Sequence, residues 1–133
     1  MADEVFVLDA SAVLALLNAE PGAERVTSVL RQAVICSVNR TEVLTRLLDW
    51  DLSQADAAEA LQALELNVSS FDHHLADAAA WLRRDTHKHG LSLGDRACLA
   101  LAQQLGARVL TTDRAWQSLD LGITIENIRP DRH

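Results

Sequence analysis

Four acidic residues stand where strands and helices could bring carboxylates together. Asp9 directly follows the apolar run EVFVL (4–8), and Asp113 stands two residues after RVLT (108–111). Glu42 lies near the start of an amphipathic stretch that follows AVIC (33–36), and Asp95 near the start of the stretch that precedes RVLT. Converging carboxylates offer hard oxygen ligands, which select Mg²⁺ or Mn²⁺ over softer metals. Such a cation activates a bound water and shields the charge of a phosphodiester. Each acid also has a purely local explanation. Acidic residues at helix N-termini cap free N–H groups and offset the macrodipole. Asp9 and Asp113 each precede a predicted helix, while Asn39-x-x-Glu42 and Ser92-x-x-Asp95 both fit loose capping boxes. Glu42 and Arg46 are also spaced for an i, i+4 surface pair, worth only about 0.3–0.5 kcal/mol. Spacing alone leaves a shared site and four separate caps both open.

The elements that must position these acids alternate in type. EVFVL, AVIC, Asn67–Ser69, RVLT and ITIEN (123–127) read as short strands. Helices are expected over AVLALL (12–17), which is apolar all round and so buried, and over Ala23–Arg31, Asn39–Trp50, Ser53–Leu64, Asp72–His89 and Leu93–Leu105. A short helix should follow Asp113. Pro21, Gly22, Gly90 and Gly106 supply the breaks. Strands alternating with helices imply a three-layer α/β/α fold around a short, mainly parallel sheet. Unalternating strands suit a sheet covered on both faces. In such sheets ligands bind beyond the carboxyl ends of the strands, where Asp9, Asp113 and Glu42 fall. Asp95 is less constrained, because its helix enters the sheet at its own far end.

Composition narrows the function classes. At 133 residues the chain suits a single domain, 1–133. Hydrophobic residues make up 49%, which excludes disorder. A net charge of −7 argues against broad coating of nucleic acid, but not against an enzyme that meets nucleic acid through a cation. The basic residues are arginines apart from Lys88. Cys36 and Cys98 sit in apolar runs and read as buried hydrophobes. The N-terminus lacks a basic signal-peptide region, and no run reaches the roughly 18 apolar residues of a membrane span, so a cytoplasmic location is expected. His73 and Asp77 have chelating spacing without an evident third ligand, in a helix with a charged outer face. No P-loop, G-x-G-x-x-G or G-x-S-x-G is present.

The stretches LDASAVLALL, NRTEVLTRLL, LSLGDRACLALA and VLTTDRAW carry the four acids in order. Together they resemble the four acidic motifs of PIN domains, most closely those of VapC toxins from type II toxin–antitoxin modules. The resemblance spans nearly the whole chain. It implies a doubly wound sheet in which Asp9, Glu42, Asp95 and Asp113 converge on Mg²⁺ or Mn²⁺, with Glu42 a ligand or a base that positions water. Ser11, Thr111 and Thr112 match positions suited to orienting carboxylates or a metal-bound water. Arg40, Arg96 and Arg114 are candidates to hold flanking phosphates of an RNA substrate, against ordinary surface ion pairing. Trp116 is a packing residue or a base-stacking one, and Trp81 a core or dimer-contact residue. Many relatives carry a further acid two residues after the fourth. Here that position is Ala115, which favours one metal over two. For a toxin the resemblance implies a VapB-like antitoxin whose C-terminal segment crosses the active-site groove, and a homodimer within a toxin–antitoxin complex. The rival readings are a non-toxin PIN nuclease in RNA processing and a catalytically silent PIN-fold binding module. A response-regulator receiver would need paired acids after the first strand and a lysine after the last, and neither is present.

Two carboxylates about 4 Å apart repel by roughly 1 kcal/mol in water and about 4 kcal/mol at an effective dielectric of 20. If the four acids share a site, Mn²⁺ raises the melting temperature. Asp9→Asn and Asp113→Asn then stabilise the metal-free protein while ending RNA cleavage. Variants that melt lower and still cut RNA would identify the acids as caps.

Overall fold

The computed structural model describes residues 4–129. The first three residues, and with them the reading of that terminus, lie outside the described residues. Five strands form one sheet: β1 (Phe6–Leu8), β2 (Ala33–Cys36), β3 (Asn67–Ser69), β4 (Arg108–Thr111) and β5 (Ile125–Asn127). Their order is β3-β2-β1-β4-β5, and every neighbouring pair is parallel. Val7 of β1 stands opposite Val34 of β2 and Val109 of β4. The helices are α1 (Ala10–Leu17), α2 (Ala23–Val29), α3 (Ser37–Asp49), α4 (Gln54–Gln62), α5 (His73–Trp81), α6 (Arg83–Thr86) and α7 (Leu93–Leu105).

Successive strand residues point to opposite faces, and this alternation divides the core in two. Phe6, Leu8, Ile35 and Leu110 pack with Val13 of α1, Val26 of α2, Val43 and Leu47 of α3 and Leu61 of α4. Val7, Cys36 and Val109 face the other way, onto Leu75 and Ala79 of α5, Leu99 of α7 and the wholly buried Trp116. The result is the expected α/β/α sandwich. Both cysteines are buried free thiols, as expected.

Local chemistry sets the element limits. Ser53 caps α4 by accepting the Asp56 N–H at 3.0 Å. Gly106 ends α7 at φ 62°, a left-handed position that disfavours residues with a Cβ. Several expectations change. The first and last strands are shorter than EVFVL and ITIEN, and α4 stops at Gln62. In α1, Leu14, Leu16 and Leu17 are only half-buried, because one layer covers the helix. The stretch 72–89 is not one helix. It breaks at Leu82 into α5, α6 and a 3-10 turn at His87–His89, with the Thr86 hydroxyl donating to the Leu82 carbonyl at 2.7 Å. Helix α3 begins two residues before Asn39, and the Ser37 hydroxyl accepts the Phe71 N–H at 3.0 Å. Among the described residues no helix is long and apolar enough to cross a membrane.

Candidate active site

Connections leave β1 toward β2 and β3 on one side, and β4 toward β5 on the other. The crevice at the carboxyl ends of β1 and β4 is therefore the topological switch point, where ligands of such sheets bind. Asp9 ends β1 and Asp113 follows β4. Helix α3 leaves β2 and starts at the same edge. Helix α7 must deliver its C-terminus to the start of β4, so its N-terminus, with Asp95, also lies at the carboxyl edge. A groove of about 410 Å³ there is lined by all four acids with Ser11, Thr112 and Arg46.

Each carboxylate is held through one oxygen. Asp9 is only 6% exposed. Its Oδ2 accepts the Ser11 hydroxyl at 2.6 Å and the Thr111 hydroxyl at 2.9 Å. Its side chain takes no helix N–H, although it occupies the N-cap position of α1. Those two hydroxyls also tie the ends of β1 and β4 together, since Thr111 reaches across to Asp9 and Ser11 Oγ accepts the Thr112 N–H, while Thr111 Oγ1 accepts the nearby Asp113 N–H. Asp113 Oδ1 accepts the Ala115 N–H at 3.0 Å and so caps the 3-10 turn Arg114–Ser118. Asp95 forms a full capping box with Ser92, its Oδ2 accepting the Ser92 N–H at 3.0 Å. Glu42 Oε1 accepts from Asn39 Nδ2 at 2.8 Å. Among the described residues the second oxygen of each acid makes no hydrogen bond. Asp95 and Asp113 are thus caps and groove residues at once.

Burial pushes the Asp9 carboxyl up to about 6 against the opposing Ser11 and Thr111 hydrogen bonds, and the charges of Asp95 and Glu42 add to the rise. Burial also raises Glu42, with Asn39 opposing and Asp95 adding. These groups resist sharing negative charge, and a cation would relieve that cost. The donor set, all carboxylate oxygen, fits Mg²⁺ or Mn²⁺. Gly94 leaves a slot that the Glu42 carboxylate fills, and a Cβ there would stand 2.6 Å from Glu42 Oε1. Among the described residues no three of the acids already stand close enough to enclose an ion.

The proposed phosphate ligands do not gather here. Arg40 lines a separate cavity with Ile35, Leu61 and Val68. Arg96 turns toward α5 and donates to the Ala79 carbonyl at 3.0 Å. Arg114 is exposed beside Asp113. The arginine that lines the groove is Arg46, which forms no ion pair with Glu42 among the described residues. Trp116 is fully buried, which leaves packing and rules out base stacking. Trp81 is 73% exposed and is no core residue. His73 and Asp77 are both exposed, and among the described residues they belong to no group of metal-binding side chains. Sequence reasoning missed Asn39 as a partner of Glu42, the Gly94 slot and Arg46. The Asn39-x-x-Glu42 spacing was visible, but it read as a cap.

A family model described as the PIN domain matches residues 6–121. No curated protein matches the sequence. Among solved structures, a DNA-bound VapBC from Salmonella typhimurium is similar at 20% identity and TM-score 0.73, covering 93% of this chain and 98% of that one. VapBC2 from Rickettsia felis, bound to a DNA fragment from its promoter, is similar at 14% identity and TM-score 0.73, covering 92% and 98%. VapBC-5 from Mycobacterium tuberculosis, described as a member of a family of toxin–antitoxin systems, is similar at 21% identity and TM-score 0.60, covering 96% and 100%.

An acid whose pKa is raised by folding stabilises the fold fully below its unfolded value and loses that contribution as pH rises through the folded value. For Asp9 the window runs from 3.8 to about 6, a loss of about 3 kcal/mol at 1.36 kcal/mol per unit. Chemical denaturation of the metal-free protein across that window should show the loss, and Asp9→Asn should flatten it. Equal pH slopes in the two proteins would contradict this electrostatic account of Asp9.

Proposed function

The chain belongs to the PIN domain family, and from that premise we propose that it is a divalent-metal-dependent endoribonuclease. The carrying observation is the groove itself. Four acids from four separate segments line it, each tied down through one oxygen with the other left unbonded among the described residues. Asp9, Asp95 and Asp113 would hold Mg²⁺ or Mn²⁺, with Glu42 as a further ligand or the group that orients the attacking water. The cation supplies water activation and charge shielding at the phosphodiester. Ser11 and Thr111 keep Asp9 in one orientation, and Ser92 does the same for Asp95. Arg46 takes a phosphate flanking the scissile one, replacing Arg40 and Arg96 in that role. Ala115 supports one metal in preference to two.

The biological setting proposed is the toxin of a type II toxin–antitoxin module, homodimeric and neutralised by a VapB-like antitoxin. Its support is the fold shared with solved VapBC structures over nearly the full length of both chains.

The purified protein should cut RNA in Mg²⁺ or Mn²⁺ and stop on chelation, read by sequencing the new RNA ends. Asp9→Asn should lower the rate by at least about 100-fold, more than the loss of an outer partner of a metal ligand. Arg46→Gln should raise KM by about 10-fold with kcat little changed, as expected for one lost charge-assisted contact. It should also reduce the salt dependence of RNA binding by about 0.7 in the log–log slope. Cleavage that survives Asp9→Asn would sink the enzymatic reading, and an unchanged KM would remove Arg46 from it.

A further inference from the structure

We infer that Asn39 is the positioning residue of the proposed metal centre. Its amide fixes the Glu42 carboxylate against the start of α7, in a slot open only because residue 94 is glycine. The inference rests on reading the acids as metal ligands.

Asn39 is wholly buried, although it lies inside a helix where asparagine is a poor former. It does not cap that helix. The N-cap position is Cys36, and Asn39 is the third residue of α3. One amide hydrogen goes to Glu42 Oε1 at 2.8 Å and the other to the Gly94 carbonyl at 3.0 Å. Its Oδ1 is buried without a partner. A buried amide with one unsatisfied atom weakens a core, so stability does not account for its presence. What the residue does accomplish is a bridge between two helices. Glu42 rides on α3, Asp95 rides on α7 beside Gly94, and Asn39 touches both carriers.

The bridge holds Glu42 in a place unfavourable to its charge. Burial raises the Glu42 carboxyl, Asn39 is the hydrogen-bond donor that opposes the rise, and the charge of Asp95 adds to it. Glu42 is only half-buried, so without the amide its flexible side chain turns toward solvent, away from the other acids. Gly94 is the other half of the device. A Cβ there would meet Glu42 Cδ and Oε1 at 2.6 Å and would expel the carboxylate even with Asn39 in place. Asparagine and glycine thus act on one carboxylate from two sides, the amide by attraction and the missing side chain by vacancy.

Mn²⁺ alone, titrated calorimetrically into the full chain, tests this. Asn39→Ala should weaken Mn²⁺ binding by about 10–100-fold, the usual effect of losing a partner of a metal ligand. Gly94→Ala should weaken it comparably, while helical circular dichroism is retained. In a Glu42→Ala background neither substitution should change the affinity by more than about twofold, because residues acting through one group are non-additive. Full losses that persist without Glu42, or unchanged affinity in both single variants, would overturn the assignment. If Asn39→Ala does not fold, Gly94→Ala with and without Glu42→Ala decides alone. A wild-type chain that binds no Mn²⁺ overturns the metal reading and this inference together. Binding in the wild type that is indifferent to both substitutions overturns this inference only.

Discussion

Like charges brought to one edge of a parallel sheet repel, and the site is organised around that constraint. The topology leaves little choice about where they meet. A wholly parallel sheet ends every strand at one edge, and α1 and α3, which leave β1 and β2 directly, start there. Asp9 bears most of the cost, being the buried member. Its two hydroxyl donors reduce the penalty without removing it, which is why its carboxyl sits near 6.

Restraint at this edge comes from neutral donors. Hydroxyls hold Asp9, an amide holds Glu42, and backbone N–H groups hold Asp95 and Asp113. Several guanidinium groups are engaged elsewhere. Arg25 pairs with Glu126 at 2.7 Å, Arg108 with Glu4 at 2.9 Å, and Arg96 with a carbonyl of α5. A neutral donor orients a carboxylate without cancelling its charge, so the groove keeps its attraction for a cation. An arginine bound to the same oxygens would have occupied the site itself.

Much of the fold was legible because its strands are covered on both faces. AVIC, NVS and RVLT have the limits expected, as does α7, bracketed by a capping box and a left-handed glycine. The break at Leu82 was not legible, because Leu75, Ala79 and Leu82 keep helical spacing whether or not the backbone hydrogen bonds are continuous. The placement of the arginines has a simple angular cause. On a helix, residues one or two apart face different ways, and those four apart share a face. Arg40 precedes Glu42 by two and points into another cavity. Arg96 follows Asp95 by one and turns to α5. Arg46 follows Glu42 by four and shares its groove. The role of Thr111 was beyond local reading, since it meets Asp9 across 102 positions of chain.

That last separation governs when the site can exist. Strand β1 lies at the centre of the sheet, yet its neighbour β4 follows it only after β2 and β3. Closing so long a loop makes the β1–β4 pairing a high-contact-order step, and such steps are slow. While the chain is being synthesised, Asp9 lacks its Thr111 anchor and Asp113 is not yet made. A partly translated molecule therefore carries no assembled acidic groove. The sheet order withholds the complete site until β4 and the residues just behind it have been made, 102 positions after Asp9 in the case of Thr111.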